Sequence, residues 1–340
     1  MSLAVKKQRQ SNIELLRIVS MMLVLLCHYI PTRNNGVQTS INTLNVNLVE
    51  TITNLELKSL SIVCTHCFIL ISGYFGIKFK IKSLANLLFQ MSFWCIVCIM
   101  IAVLLAGNLS PVPSIKTFIT SIIYGWFPTG YIILFVVSPI LNSFINSCSE
   151  KELERYIIYF YSLSTIGGYL LSFADFNAGM SALSMCGLYL IGAYLRTSRV
   201  KIFTLKAKYD LLIYLGLGVF MVAINLLLLC FNIHSSPYGY LNPIVIIMSI
   251  YLFLFFKKID IGSIKVINFL STSAFSIYLF HCNIYIGDYV NRIWEDINIH
   301  FGILSSILMG LLSFIAIYLF CTIIDQLRIL IYSRVMNLFK

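Results

Sequence analysis

With 340 residues, 59% of them hydrophobic, a mean hydropathy of +0.90 and only 11% charged residues, the chain is too apolar for a soluble domain, where about 25% of residues are charged. Its formal charge of +11 sits in short basic clusters between apolar runs, as in the cytoplasmic loops of membrane proteins, which argues against a nucleic-acid partner. The expected fold is all-α and polytopic, a single membrane-embedded domain over residues 1–340 with no separate soluble domain, its principal partner the lipid bilayer.

A spanning helix needs about 20 apolar residues. Ten are expected, near 12–30, 58–77, 84–107, 124–147, 155–174, 180–195, 209–231, 241–256, 266–287 and 302–327, the sixth and eighth being short. The first follows MSLAVKKQRQ, which resembles the basic head of a secretory signal. Glu14 and Arg17 interrupt the apolar run and no small-residue cleavage site follows, so the helix is expected to be retained. An Asn- and Thr-rich outer loop is expected at about 31–57, a turn-rich start to the fourth span at YGWFPTG, and a second outer loop at 288–301, DYVNRIWEDINIHF. With the N-terminus inside, all of the 24 Lys and Arg residues except Arg33, Lys58, Lys116 and Arg292 fall on the cytoplasmic side. That asymmetry supports ten spans with both termini cytoplasmic, in a multi-pass protein of the cell membrane.

The 10 cysteines lie mostly in or beside apolar segments, where cysteine behaves as a small hydrophobe. The C-x-x-C pairs at 64/67 and 95/98 fall inside expected helices without a polar knuckle, so no metal site is expected.

The first span, NIELLRIVSMMLVLLCHYI, carries three ionisable groups, which in a membrane mark function by default. Arg17 and His28 are 11 residues apart, three turns plus about 20°, so they share a face and stand about 16 Å apart along the axis. Glu14, three residues before Arg17, is placed to pair with it. An arginine suits a phosphate; an imidazole suits proton removal from a hydroxyl. A coenzyme A thioester, with a phosphorylated head and a thin reactive arm, has the shape to span the two. The alternative is a snorkelling arginine and a histidine bonded to a neighbouring helix.

The pattern acid-x-x-Arg, ten residues, His resembles the first helix of the acyltransferase-3 family of membrane acyltransferases. Further similar segments follow in order: FILISGYF (68–75), GWFPTGYIILFVVSPILN (125–142), YLNPIVIIMSIYLFLFFKK (240–258) and STSAFSIYLFHCNI (271–284). The resemblance implies O-acylation, commonly acetylation, from cytoplasmic acyl-CoA (acetyl-CoA) as co-substrate onto a hydroxyl of an extracytoplasmic carbohydrate, such as a surface polysaccharide or lipid-linked saccharide. It makes His28 the catalytic histidine and Arg17, steadied by Glu14, a donor-binding residue. Where family members often carry paired arginines after the second helix, this chain has Lys78, Lys80 and Lys82, which meet a phosphate only as point charges.

Tyr278 lies three residues before His281 and shares its face. Together with the resemblance of STSAFSIYLFHCNI to the family's later helix, this makes His281 a second catalytic candidate, with a structural hydrogen bond as the alternative. Trp126, Tyr131, Tyr278 and Trp294 are the candidates for acceptor binding, the two tryptophans through sugar stacking or else as interfacial anchors. His66 and Ser72 are read as structural, Asp325 as a partner of Arg328, and His234 and His300 as solvated. The competing function is a transporter or flippase of a lipid-linked saccharide, for which no inverted repeat is visible.

Overall fold

The computed structural model describes residues 10–32, 48–108, 110, 112–198, 200–231, 233 and 237–338. Lys6, Lys7, Arg9, Arg33, Arg199, His234, Lys340 and most of the loop 31–57 lie outside them. Among the described residues every regular element is a helix: α1 (Ser11–Tyr29), α2 (Leu48–Ser61), α3 (Cys64–Phe75), α4 (Ile81–Ala106), α5 (Ile115–Ile122), α6 (Trp126–Ser147) and α7 (Glu150–Leu163). After a π turn (Ser164–Leu170) come α8 (Ala182–Thr197), α9 (Ala207–Cys230), α10 (Pro243–Lys258), α11 (Lys265–Leu270), α12 (Ala274–His281), α13 (Gly287–His300) and α14 (Ile303–Leu338).

Among the described residues, six helical stretches are long and apolar enough to cross a membrane: Ser11–Thr32, Leu48–Phe75, Ile81–Ala106, Trp126–Ser147, Ala207–Cys230 and Ile303–Asn337. The other four expected spans are helical but short or broken. α8 and α10 have 16 residues each, about 24 Å, less than the roughly 30 Å of hydrocarbon. The run 155–174 is split between α7 and the π turn, and 266–287 between α11, a 3₁₀ turn at Ser271–Ser273, and α12.

Two expected loops also prove helical. Residues 48–57 extend the second span upstream, because Thr51 and Leu55, one turn apart, are buried. The segment 288–301 forms α13, whose Val290 and Trp294 are buried at the same i, i+4 spacing.

α1 runs through the middle of the bundle, packed by α2, α3, α10, α11, α12 and α14. Polar ties hold it at both ends. At the start, Ser11 Oγ donates to Asn268 Oδ1 (2.9 Å) and accepts from the Ile264 amide (2.7 Å), while Asn12 Nδ2 reaches the Lys257 and Ile259 carbonyls (3.2 Å each). At the end, Tyr29 Oη lies 2.7 Å from the Ser306 carbonyl and 2.8 Å from Asn298 Oδ1, and Asn298 Nδ2 donates to Thr32 Oγ1 (2.9 Å).

α3 and α8 cross at backbone contact, because a Cβ on Gly73 would collide with the Tyr189 backbone and one on Gly192 with that of Leu70. Small residues of this kind let membrane helices approach closely. Ser72 Oγ donates back to the Phe68 carbonyl (2.9 Å). Asp325 is fully buried and holds Arg328 through two bonds, Nε to Oδ1 (2.7 Å) and Nη2 to Oδ2 (3.0 Å). Trp94 Nε1 (3.2 Å) and Ser273 Oγ (3.1 Å) donate to the same carboxylate, tying α4 and the Ser271–Ser273 turn to α14. At α7, Ser149 and Glu152 form a reciprocal capping box, and the Ser149 amide and hydroxyl hold the exposed Glu152 carboxyl below its usual range.

Candidate active site

His28 occupies the last turn of α1 and His281 the last residue of α12. α12 stops there because the chain turns through Cys282 and Asn283, whose amides bond back to Tyr278 and Phe280. Gly287 then begins α13 with its Cα face against the His281 carbonyl. The two helix ends bring His28 Nδ1 to 3.0 Å from His281 Nε2, with ring centroids 5.2 Å apart.

The protons follow from the partners. His281 Nδ1 stands 2.6 Å from the Ile277 carbonyl, which only accepts, so this nitrogen carries hydrogen. In the neutral ring Nε2 is then the acceptor, and His28 must donate to it from Nδ1–H. His28 is left with a lone pair on Nε2. His28 is exposed while His281 is only 4% exposed. Together they line a cavity of about 470 Å³ with Pro31, Tyr124, Cys282, Asn283, Asp288 and Asn291. An imidazole oriented by a second one and lining a polar cavity can act as a general base.

Cys282 completes the cluster, its Sγ 3.2 Å from His281 Nε2 and 3.5 Å from His28 Nδ1. Sequence reasoning counted it among the packing cysteines. Its place beside His28 comes from tertiary structure alone, and its position directly after His281 was the one available signal.

At the other end of α1, Arg17 Nη1 donates to Glu14 Oε1 at 2.6 Å, the pair the sequence spacing requires. Arg17 lines a second cavity, about 250 Å³, with Ser72, Gln90, Tyr131, Thr272 and a largely apolar remainder including Phe127 and Phe275. Lys78, Lys80 and Lys82 are exposed and do not line it. Tyr131 belongs to this cavity, its ring stacked on Phe127 (6.2 Å, 13°) and its hydroxyl 3.4 Å from Ser72 Oγ.

The two cavities share no lining residue. Between them lies an aromatic stack: Phe275 and Tyr278 are parallel within 9° at 6.3 Å, Phe127 lies 5.5 Å from Tyr278, and Tyr278 meets His281 edge-on at 6.0 Å. Tyr278 thus packs behind the histidine pair.

Trp294 has no open face for a sugar. It is 1% exposed, packs against Tyr29 and Phe314 at 5.7 and 5.8 Å, and donates its indole hydrogen to Ser313 Oγ (3.0 Å), 6.4 Å from His281. Its ring is buried against Tyr29 of α1 and Phe314 of α14, so stacking on a sugar does not describe it. Trp126 lies against Phe127 and Tyr240 and lines neither cavity. His66 is structural, as its Nε2 bonds the Tyr240 carbonyl at 3.0 Å.

No curated protein and no solved structure matches the chain. The acyltransferase-3 family model, described as an acyltransferase domain, matches residues 10–325. That range takes in Arg17 with its cavity, the aromatic stack and both histidines. The chain belongs to the acyltransferase-3 family and is an acyltransferase of the membrane type.

Proposed function

We propose that the protein moves an acyl group, acetyl in the first instance, from a cytoplasmic acyl-CoA to a hydroxyl of an extracytoplasmic or lipid-linked glycan. The observation that carries this reading is the histidine pair, with an oriented His28 at 3.0 Å from a buried His281, facing a cavity large enough for a sugar. His28 Nε2 takes the proton of the acceptor hydroxyl as its oxygen attacks the thioester carbonyl. The imidazolium keeps its hydrogen bond to His281 throughout, because Nδ1 remains the donor in both protonation states. The CoA thiolate leaves and takes up a proton.

Arg17 holds the donor's phosphates, with Glu14 fixing the guanidinium, at the far end of about 16 Å of helix that the pantetheine arm spans. Gln90 and Thr272 supply further polar contacts in the same cavity. The topology that goes with this reading is ten membrane-crossing segments in the cell membrane, both termini cytoplasmic, with the short and broken helices crossing alongside the six long ones.

The test incubates membranes containing the protein with labelled acetyl-CoA and the host's surface glycan fraction. Alkali-labile label in the glycan, lost with His28→Ala while the protein remains in the membrane, supports the reading. Transfer unchanged by that substitution overturns it.

A further inference from the structure

The cluster of His28, His281 and Cys282 has a second property that acid–base chemistry does not use. We propose that it is a binding site for a divalent transition-metal ion of the zinc type, and that the bound ion switches acyl transfer off. Two imidazole nitrogens and a thiol sulfur are borderline-soft donors, the set that selects zinc over magnesium or calcium.

Their geometry is nearly that of a ligand set. His28 Nδ1, His281 Nε2 and Cys282 Sγ form a triangle with sides of 3.0, 3.2 and 3.5 Å. Nitrogen and sulfur bound to zinc at about 2.0–2.1 and 2.3 Å stand about 3.3–3.6 Å apart at tetrahedral angles. The triangle needs to open by only a few tenths of an ångström.

The surroundings fit as well. The Nδ1–H of His281 is held by the Ile277 carbonyl at 2.6 Å, the backbone support that fixes a ligating imidazole with its other nitrogen toward the metal. The remaining tetrahedral position faces the cavity of about 470 Å³, so the ion would keep a water there, as in open zinc sites. Among the described residues, neither C-x-x-C pair belongs to a three-donor group of this kind.

Binding is balanced by one proton. The Cys282 thiol releases its hydrogen to water and coordinates as thiolate, while both histidines bind as neutral rings. The ion takes the lone pair of His281 Nε2 and that of His28 Nδ1. His28 must then carry its hydrogen on Nε2, the nitrogen that would accept the acceptor's proton. The ion and the base function are thus mutually exclusive. This inhibitory half rests on the function proposed above; the binding half does not.

The experiment uses the full-length protein, purified in detergent and freed of metal by a chelator, with cobalt as the optical probe. The expected result is one bound cobalt per chain with a thiolate-to-cobalt charge-transfer band, displaced by zinc. Cys282→Ser should lose that band, and His281→Gln should weaken binding by about 100-fold or more. As a check without substitution, zinc should protect Cys282, but not the loop residue Cys148, from alkylation mapped by peptide mass spectrometry. Absence of bound cobalt, or an unchanged thiolate band in Cys282→Ser, overturns the site, as does Cys282 alkylation indifferent to zinc.

On membranes active with acetyl-CoA, zinc should stop glycan labelling and chelator should restore it. Labelling that continues with the site filled overturns the switch. If no acyl-CoA supports transfer at all, the functional reading fails, while the cobalt spectrum still decides the site.

Discussion

His281 accepts a hydrogen bond from His28 at 3.0 Å while donating through its other ring nitrogen to the Ile277 carbonyl at 2.6 Å. One backbone carbonyl therefore sets the tautomer of two imidazoles in series, and the free lone pair ends on His28 Nε2. The roles of the two histidines can be separated by substitution. With His28 as the base proposed above, His28→Ala should lower kcat by about 10²–10⁴-fold. His281→Leu removes only the acceptor that orients His28. A lost hydrogen bond of about 1.5–3 kcal/mol corresponds to a fall in kcat of roughly 10–100-fold, with KM for acyl-CoA unchanged. His281→Gln, which keeps an acceptor oxygen, should recover part of it, a recovery that a purely structural role for His281 does not predict. Steady-state kinetics on labelled glycan supplies both comparisons.

The donor end proposed at Arg17 can be tested in the same way. Arg17→Ala should raise KM for acyl-CoA by roughly 10–100-fold, the loss of charge-assisted bonds worth about 1.5–3 kcal/mol, and Arg17→Lys should restore only part of it because the bidentate geometry is gone. The exposed Lys78, Lys80 and Lys82 lie off the Arg17 cavity, so Lys80→Ala should change KM less than about threefold, as expected of a solvated charge. A larger effect of Lys80→Ala would place the phosphates outside that cavity.

Asp325 anchors a buried ion pair with Arg328. Asp325→Ala leaves a buried Arg328 without its carboxylate, which should cost about 3–5 kcal/mol, read as a large fall in the thermal unfolding temperature of the detergent-solubilised protein. Ser333→Ala, at an exposed position on the same helix, should leave that temperature within a degree or two.

The α3–α8 crossing is equally exacting. Gly73→Ala puts a methyl group into the Tyr189 backbone, which no rotamer change relieves. The prediction is loss of folded protein from the membrane fraction, compared with normal levels for Gly216→Ala, where a Cβ meets open space.

How much was legible in the sequence depended on how local the signal was. Glu14, Arg17 and His28 lie on one continuous helix, so their pairing and spacing follow from 3.6-residue periodicity, and Asp325 with Arg328 likewise. The partner of His28 lies 253 residues away, a contact that no periodicity encodes. Cys282 was hidden for the same reason. Trp294 was misplaced because a polar, acidic stretch was taken for a loop, although Val290 and Trp294 at i, i+4 already marked a buried helix face. The limits of α8, α10 and the broken α11–α12 run depend on caps and turns that hydropathy does not register.

The aromatic stack of Phe127, Phe275 and Tyr278 between the two cavities has a consequence for the cell. Under the function proposed above, the two substrates approach from opposite faces of a bilayer, and a catalyst of that kind risks becoming a leak. Among the described residues Phe127, Phe275 and Tyr278 pack between the two cavities, which share no lining residue, so these rings stand in the way of a hydrated ion. A slim, weakly hydrated thioester arm needs only to part the rings while it is bound. On the proposed reaction, the rings that separate the two cavities also serve as an electrical seal, and turnover need not cost the membrane its proton gradient.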